Sequence, residues 1–432
     1  MRDRHLDTSP HREHFAWQQH DTDSSARSVV ERCDRIAAFT DTPGSITRLF
    51  LSDAAVRLHA ELRRWMEAAN LTVRVDNAGN LIARRKAAEP TSSAKTLLIG
   101  SHLDTVPNAG RYDGILGVMI GLQAIEALGE RSLPFHIDLI GFSEEEGVRF
   151  GVPYIGSAAV AGCFDYAWLG RCDTSGQSLG HVIEQCGLKP KQIKDDAYQP
   201  AQVLGYTEVH LEQGPVLDSL RLPVGVVTGI QGQSRLKLRY TGHADHAGTV
   251  PMEHRRDALL AASRLVVAAA DYARSIEGLR ATVGYIKAEP NVRNVVPGAV
   301  DLSLDIRHSD DSIREQAVAQ LLKSAEQIAA DDGVKLRRRG AQDQPAMQTD
   351  PGLSAALSKA IEQAGMEPYT LPSGAGHDAV VMSRLAPTAM LFVRHPRGVS
   401  HHPEETVHAE DAGRAVQVLA QYIVNLSVDP AV

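Results

Sequence analysis

The stretch Gly100-Ser-His-Leu-Asp-Thr-Val-Pro-Asn-Ala-Gly-Arg-Tyr-Asp-Gly-Ile-Leu-Gly117 sets His102, Asp104 and Asp113 on a glycine-rich loop directly after the apolar run Thr96 to Ile99. Imidazole and carboxylate groups are the donors that divalent cations take, and glycine lets the backbone bend close around an ion. Three other places repeat the pattern. The apolar run Phe135 to Phe142 ends in Ser143-Glu-Glu-Glu-Gly147. Tyr206-Thr-Glu-Val-His-Leu-Glu-Gln-Gly214 brings His210, Glu212 and Gln213, and Gly398-Val-Ser-His-His-Pro-Glu-Glu405 follows the run Met390 to Val393. Each stretch alone also reads as a solvated polar loop or acidic turn. Adjacent carboxylates raise one another's pKa, however, and a cation would relieve that repulsion. Ligand-type side chains at four strand ends point to a polynuclear site for zinc, manganese or a similar ion, at the carboxyl edge of an α/β sheet.

The elements that must hold these residues follow from periodicity. Residues 1 to about 28 show none and are expected to form a loose, flexible arm. Ser52 is the expected N-cap of a helix with Leu58, Leu62, Trp65, Met66 and Ala69 on one face. Leu71, Val73 and Val75 alternate as a strand, and Asp76-Asn-Ala-Gly-Asn80 turns the chain into another at Leu81 to Arg84. Beyond Asp113 a helix runs through Leu128 with Val118, Leu122 and Ile125 as its stripe. From Arg235 the pattern changes to strict alternation, Leu236, Leu238 and Tyr240 against Arg235, Lys237 and Arg239, which signals an antiparallel sheet with one wet face. Helices over about 253–274 and along Ile313, Ala317, Leu321, Ala325 and Ile328 complete a βαββαβ order, with Gly333 closing the second helix. The fold class expected is therefore α/β: a mixed-sheet domain with helices on both faces, over 29–224 and 343–432, interrupted at 225–342 by a βαββαβ (ferredoxin-like) domain. Hinges are expected near Pro223 to Gly225 and Gln342 to Pro345. The glycine-rich Ser373-Gly-Ala-Gly-His-Asp-Ala379 lacks the Lys and Ser/Thr of a phosphate-binding loop.

At 432 residues the chain exceeds what one core usually supports, which agrees with two domains. A net charge of -8 argues against a nucleic-acid groove or an anionic membrane as partner. No apolar run is long enough to span a bilayer and the opening residues do not resemble a secretory signal, so a soluble, cytoplasmic protein is expected. Four cysteines without metal-ligand spacing suggest buried thiols rather than a disulfide framework.

Seven motifs in one order resemble the dinuclear-metal amidohydrolases, the family of allantoate amidohydrolases, N-carbamoyl-L-amino-acid hydrolases, β-ureidopropionases and ureidoglycolate amidohydrolases, within the zinc-aminopeptidase-like metallohydrolases. They are the opening stretch, Phe142-Ser-Glu-Glu-Glu-Gly147, Glu208-Val-His-Leu-Glu-Gln-Gly214, His246-Ala-Gly-Thr-Val-Pro-Met252 with Arg255-Arg-Asp257, Pro290-Asn-Val-Arg-Asn-Val-Val-Pro-Gly298, Ser373-Gly-Ala-Gly-His-Asp378 and Ser400-His-His-Pro-Glu404. The resemblance implies two divalent ions per subunit, zinc or manganese, with cobalt or nickel as alternatives. Asp113 would bridge them, His102 and His210 would complete one site, and Glu145 and His401 the other, with His402 an alternative to His401. Asp104 would orient His102, and Glu144 would be the general base. The inserted domain would be a lid and a homodimer interface carrying His246 as oxyanion donor. Asn294, Arg307, Gln213 and the amide of Gly376 would bind substrate, a small ureido acid, while His243 has no counterpart and is read as structural. Ala109-Gly-Arg-Tyr-Asp-Gly114, Glu146-Gly-Val-Arg-Phe150 and Gly156-Ser-Ala-Ala159 look most like the allantoate branch. N-carbamoyl-L-amino acids are the second substrate reading, dipeptides on the same scaffold a third, and a non-catalytic interaction protein a fourth, which the presence of every expected ligand disfavours.

Overall fold

The computed structural model describes residues 17–89, 91 and 94–428, which form two compact units. The first takes the chain up to Val226, then Asp350–Thr370 and Val381 onward; the second is Val227–Thr349 with Leu371–Val380. The second unit is thus longer at its C-terminal side than the expected 225–342, and it recruits the Ser373 loop that the sequence places in the other domain.

In the first unit the strands lie in the order Thr72–Val75, Leu81–Arg85, His136–Phe142, Thr96–His102, Val203–Leu211, Thr388–Val393, followed by Val224–Val226 of the strand Val224–Ile230. The four central strands are parallel and the flanking ones antiparallel, so the sheet is mixed. All four run the same way, so their carboxyl ends share one edge, where open α/β sheets place their chemistry. The strand Thr96–His102 is buried along its whole length and reads as a continuous apolar run because helices cover it. One of these, Ile115–Ala127, is buried nearly all round. Gly117 in its first turn is required by contact, since a Cβ there would lie 1.9 Å from the Val209 carbonyl oxygen. Ser52 caps the helix Asp53–Ala68 by accepting from the Ala55 amide at 3.2 Å.

Two expectations change. Residues 1–16 lie outside the described residues, but the arm does not extend to 28: Gln19–Ile36 is a helix packed on the C-terminal helix Ala409–Val428. Its buried positions Thr22, Ser25, Ala26, Val29, Cys33 and Ile36 have helical spacing, yet half are small or polar, so hydropathy does not reveal the stripe. Of the cysteines, Cys33 is buried while Cys172 and Cys186 are exposed, and all are free thiols.

The second unit carries a five-stranded antiparallel sheet, built on Gly232–Thr241, Arg280–Thr282, Ile286–Glu289, Ala299–His308 and Lys335–Gln344, with Ala299–His308 and Gly232–Thr241 central. Helices Ala258–Arg274 and Asp311–Asp331 pack on one face of it through Ala261, Leu265, Ala317 and Leu321. Asp257 and Asp310 cap them by accepting two backbone amides each. No helix among the described residues is long and apolar enough to cross a membrane.

Candidate metal centre

The four parallel strand ends bring His102, Asp113, His210 and His401 together. Asp113 Oδ1 lies 3.3 Å from His210 Nε2 and 3.8 Å from His102 Nε2, and its Oδ2 lies 3.1 Å from His401 Nε2. The two oxygens therefore face two different sets of imidazoles. The donor atoms of His102, Asp113 and His210 lie within 4.8 Å of one another, as do those of Asp113, Glu146 and His401. His402 faces elsewhere, its Nδ1 accepting from the Glu404 amide at 3.2 Å.

The tautomers test whether a cation fits. Nδ1 of His102 lies 3.0 Å from the main-chain oxygen of Asp104, and Nδ1 of His210 lies 3.0 Å from that of Leu211. A carbonyl can only accept, so Nδ1 of each ring carries a proton and, in the neutral rings, Nε2 presents a lone pair. Those lone pairs are 3.3 Å apart and share the Asp113 carboxylate. Three electron-pair donors converging in a buried place fit a divalent ion. On the other side, hydrogen bonds to Asp113 and then Glu146 push the His401 imidazole up to about 10. Two carboxylates thus hold one positive charge there, as they would a metal.

The acidic run differs from expectation by one position. Glu146 Oε1 is 3.2 Å from His401 Nε2, and Glu146 joins Asp113 and His401. Glu145 stands with His102 and Glu146. Glu144, expected as the base, is fully buried and turned away; its Oε1 accepts from the amides of Arg149 (2.7 Å) and Phe150 (3.2 Å) while Oε2 has no partner. Burial, then the charge of Asp104, pushes its carboxyl up to about 8. Such a shift often marks a catalytic acid, but here the carboxyl is closed inside its own turn. The strand ends at Phe142 and Glu144 takes φ +52, so the alternation of a strand does not carry through the run.

Asp104 also acts differently. Its main-chain oxygen, not its carboxylate, holds His102; the carboxylate, 3.9 Å from His102 Nδ1, accepts from the amides of Glu145 (3.0 Å) and Glu146 (3.1 Å). It thereby fixes the backbone that presents both glutamates. Gln213, at φ +55, donates to Asp113 Oδ1 and to Ser400 Oγ, each at 3.0 Å. Glu212 is structural, accepting from the Val216 and Leu217 amides. Gly114 sits beside Asp113 at φ +69, where a Cβ would meet the His102 ring at 2.5 Å.

The sequence reading assigns no role to Glu405. Its Oε1 accepts from the amides of Tyr112 (2.8 Å) and Asp113 (3.0 Å), holding the backbone of Asp113 from the distant loop after His401. Glu405→Ala leaves two buried amides unpaired, so it is expected to cost roughly 2–6 kcal/mol of stability by denaturant titration and to weaken metal retention.

The remaining expected residues lie in the second unit. His246 is exposed, pairs with Val295 across a short ladder next to Asn294, and accepts from the Gly248 amide on Nδ1 (3.1 Å), which leaves the proton on Nε2 as a donor. His243 pairs with Asp245 at 2.9 Å. Arg307 is half-buried on the sheet, and Gly376 lies in the loop where Ser373 Oγ and His377 Nε2 are 3.0 Å apart.

The description "Peptidase family M20/M25/M40" matches residues 98–425. The chain belongs to this family. It is a hydrolase of mixed α/β fold. A probable allantoate deiminase of Oryza sativa subsp. japonica is 39% identical, over 93% of this chain and 89% of that protein. The N-carbamoyl-L-amino acid amidohydrolase of Geobacillus stearothermophilus is 36% identical, over 89% and 94%. Among solved structures, an amidase of the hydantoinase/carbamoylase family from Burkholderia multivorans superposes with a TM-score of 0.86 at 33% identity, over 94% of this chain and 98% of that one.

Proposed function

We propose that the protein is a metal-dependent ureido-acid amidohydrolase whose substrate is allantoate, hydrolysed to ureidoglycine, ammonia and carbon dioxide. The observation that carries the hydrolytic reading is the convergence of the His102 and His210 Nε2 atoms on one oxygen of Asp113, with His401 and Glu146 on the other. Asp113 with His102 and His210 would hold one ion, and Asp113 with Glu146 and His401 a second. Divalent ions held there would supply Lewis-acid chemistry to the attacking water and the scissile ureido carbonyl. Glu145, one residue before the proposed ligand Glu146, takes the proton of the attacking water and returns it to the leaving nitrogen. His246 Nε2–H steadies the oxyanion, Arg307 and Asn294 bind the substrate carboxylate, and Gln213 with the Gly376 amide binds the ureido or carboxylate end.

Full-length similarity to an allantoate deiminase supports this substrate, and similarity to an N-carbamoyl-L-amino acid amidohydrolase supports the second. Ammonia release from allantoate and from N-carbamoyl-L-amino acids, measured on protein stripped with chelator and refilled with manganese or zinc, separates them. Allantoate is expected to be turned over with the higher kcat/KM, and no turnover of allantoate sinks the first choice. Dipeptide cleavage that survives Arg307→Ala would instead favour a peptidase. Exposed Val267, Tyr285 and Ile286 support a homodimer through the second unit, which sedimentation would show as twice the chain mass.

A further inference from the structure

On the strand Ala299–His308, Asp305 and Arg307 are two residues apart and so share one face of the sheet. The Asp305 carboxylate accepts from Arg307 through Oδ1 to Nε (2.8 Å) and Oδ2 to Nη2 (3.1 Å). The neighbouring strand steadies the carboxylate in turn. Gln233 and Arg235, opposite Arg307 and Asp305 in register, donate to the same Oδ2 at 2.9 and 3.1 Å. Arg307 Nη1 donates to the main-chain oxygen of Gly374 at 2.7 Å. A guanidinium has five N–H donors, and these contacts use three, leaving one on each terminal nitrogen. That pair is what a planar two-point contact with a carboxylate requires.

We infer that Asp305 is a positioning residue for substrate recognition, locking the Arg307 guanidinium so that its two remaining donors are preset for the substrate carboxylate. This rests on the reading of Arg307 as the carboxylate-binding group. The lock is two-sided, because the Gly374 carbonyl ties the same guanidinium to the loop that carries Gly376. Burial alone would raise the Asp305 carboxyl; the Arg307 hydrogen bonds and charge, then those of Arg235, hold it below the ordinary aspartate value. An amide in place of the Asp305 carboxylate would offer one acceptor oxygen and one NH2 group, turning a donor against a donor of Arg307.

The test is steady-state kinetics of the metal-loaded, full-length enzyme on the ureido acid it turns over and on that acid's neutral carboxamide analogue. Asp305→Asn is expected to raise KM for the acid by about 10- to 100-fold with a much smaller change in kcat, and to lower kcat/KM for the carboxamide far less than for the acid. Arg307→Ala should raise KM at least as far, and adding Asp305→Asn to it should do nothing more. A KM that rises with Arg307→Ala but not with Asp305→Asn overturns the positioning role alone. A KM unmoved by Arg307→Ala overturns the Arg307 reading and this inference with it. A lower melting temperature with unchanged KM in Asp305→Asn would mark Asp305 as merely structural. If Asp305→Asn does not fold, Asp305→Glu keeps the charge and displaces it, and should raise KM severalfold; no rise overturns the inference.

Discussion

Glu145→Gln is expected to lower kcat by about 10²–10⁴-fold while metal content and melting temperature stay near those of the parent protein. Glu144→Gln is expected to do the reverse, sparing kcat and lowering stability. The contrast follows from where the two carboxyls point. Glu145 has its amide bound by Asp104 at 3.0 Å and its side chain beside His102 and Glu146, so removing its charge deletes the proton acceptor while the backbone hydrogen bond to Asp104 stays. Glu144 closes its own turn by accepting from the amides of Arg149 and Phe150, which a glutamine oxygen can still do. The new amide nitrogen would take the place of Oε2, which is buried and has no partner, and that should cost roughly 1–3 kcal/mol. Parallel measurements of kcat, bound metal and unfolding free energy on both variants decide the matter. A large loss of kcat in Glu144→Gln, with Glu145→Gln active, would restore the order that sequence alone suggests. Glu146→Gln differs from both, since a ligand lost there should appear as lost metal.

What could be read in the sequence, and what could not, follows from the range over which each feature is determined. The four strand ends are local: an apolar run followed by His or Glu predicts a strand and its exit, and Thr96–His102, His136–Phe142 and Val203–Leu211 end at or next to ligand-type residues, with His401 on the loop after Thr388–Val393. The βαββαβ order of the second unit is equally local, since strict alternation and capped helices announce themselves. The one-residue shift in the acidic run was not legible. Adjacency was enough to suggest that neighbouring glutamates diverge, but which one points where depends on Glu144 adopting positive φ, and that depends on contacts with Arg149, Phe150 and Asp104 that only the fold creates. Glu405 escaped for a similar reason, since its partners Tyr112 and Asp113 are nearly three hundred positions away. The acceptor nearest His102 Nδ1 is the main-chain oxygen of Asp104; a sequence shows that an aspartate is present and not which of its atoms lies closer. The N-terminal helix shows the limit of hydropathy, since Thr22 and Ser25 are buried against the C-terminal helix without being apolar.

Removing the divalent ions is expected to abolish hydrolysis and also to lower the melting temperature, because the same donors serve catalysis and folding. The Nε2 atoms of His102 and His210 lie 3.3 Å apart beside the Asp113 carboxylate, an arrangement of donor groups that a bound cation stabilises. An ion that binds only the folded chain stabilises it by RT ln(1 + [ion]/Kd), about 4 kcal/mol at a thousandfold excess over Kd. Dialysis against chelator, followed by calorimetry and an ammonia-release assay, should show both losses, and manganese or zinc should restore both. Asp113→Asn should resemble the stripped protein and resist restoration, since the loss of carboxylate charge weakens the sites on both of its oxygens. His402→Ala should behave as the parent, because that ring faces the Glu404 amide and not Asp113. Full activity and an unshifted melting temperature after chelation, with no metal detected, would remove the ions from the reaction and leave Asp113 as only the anionic partner of three histidines.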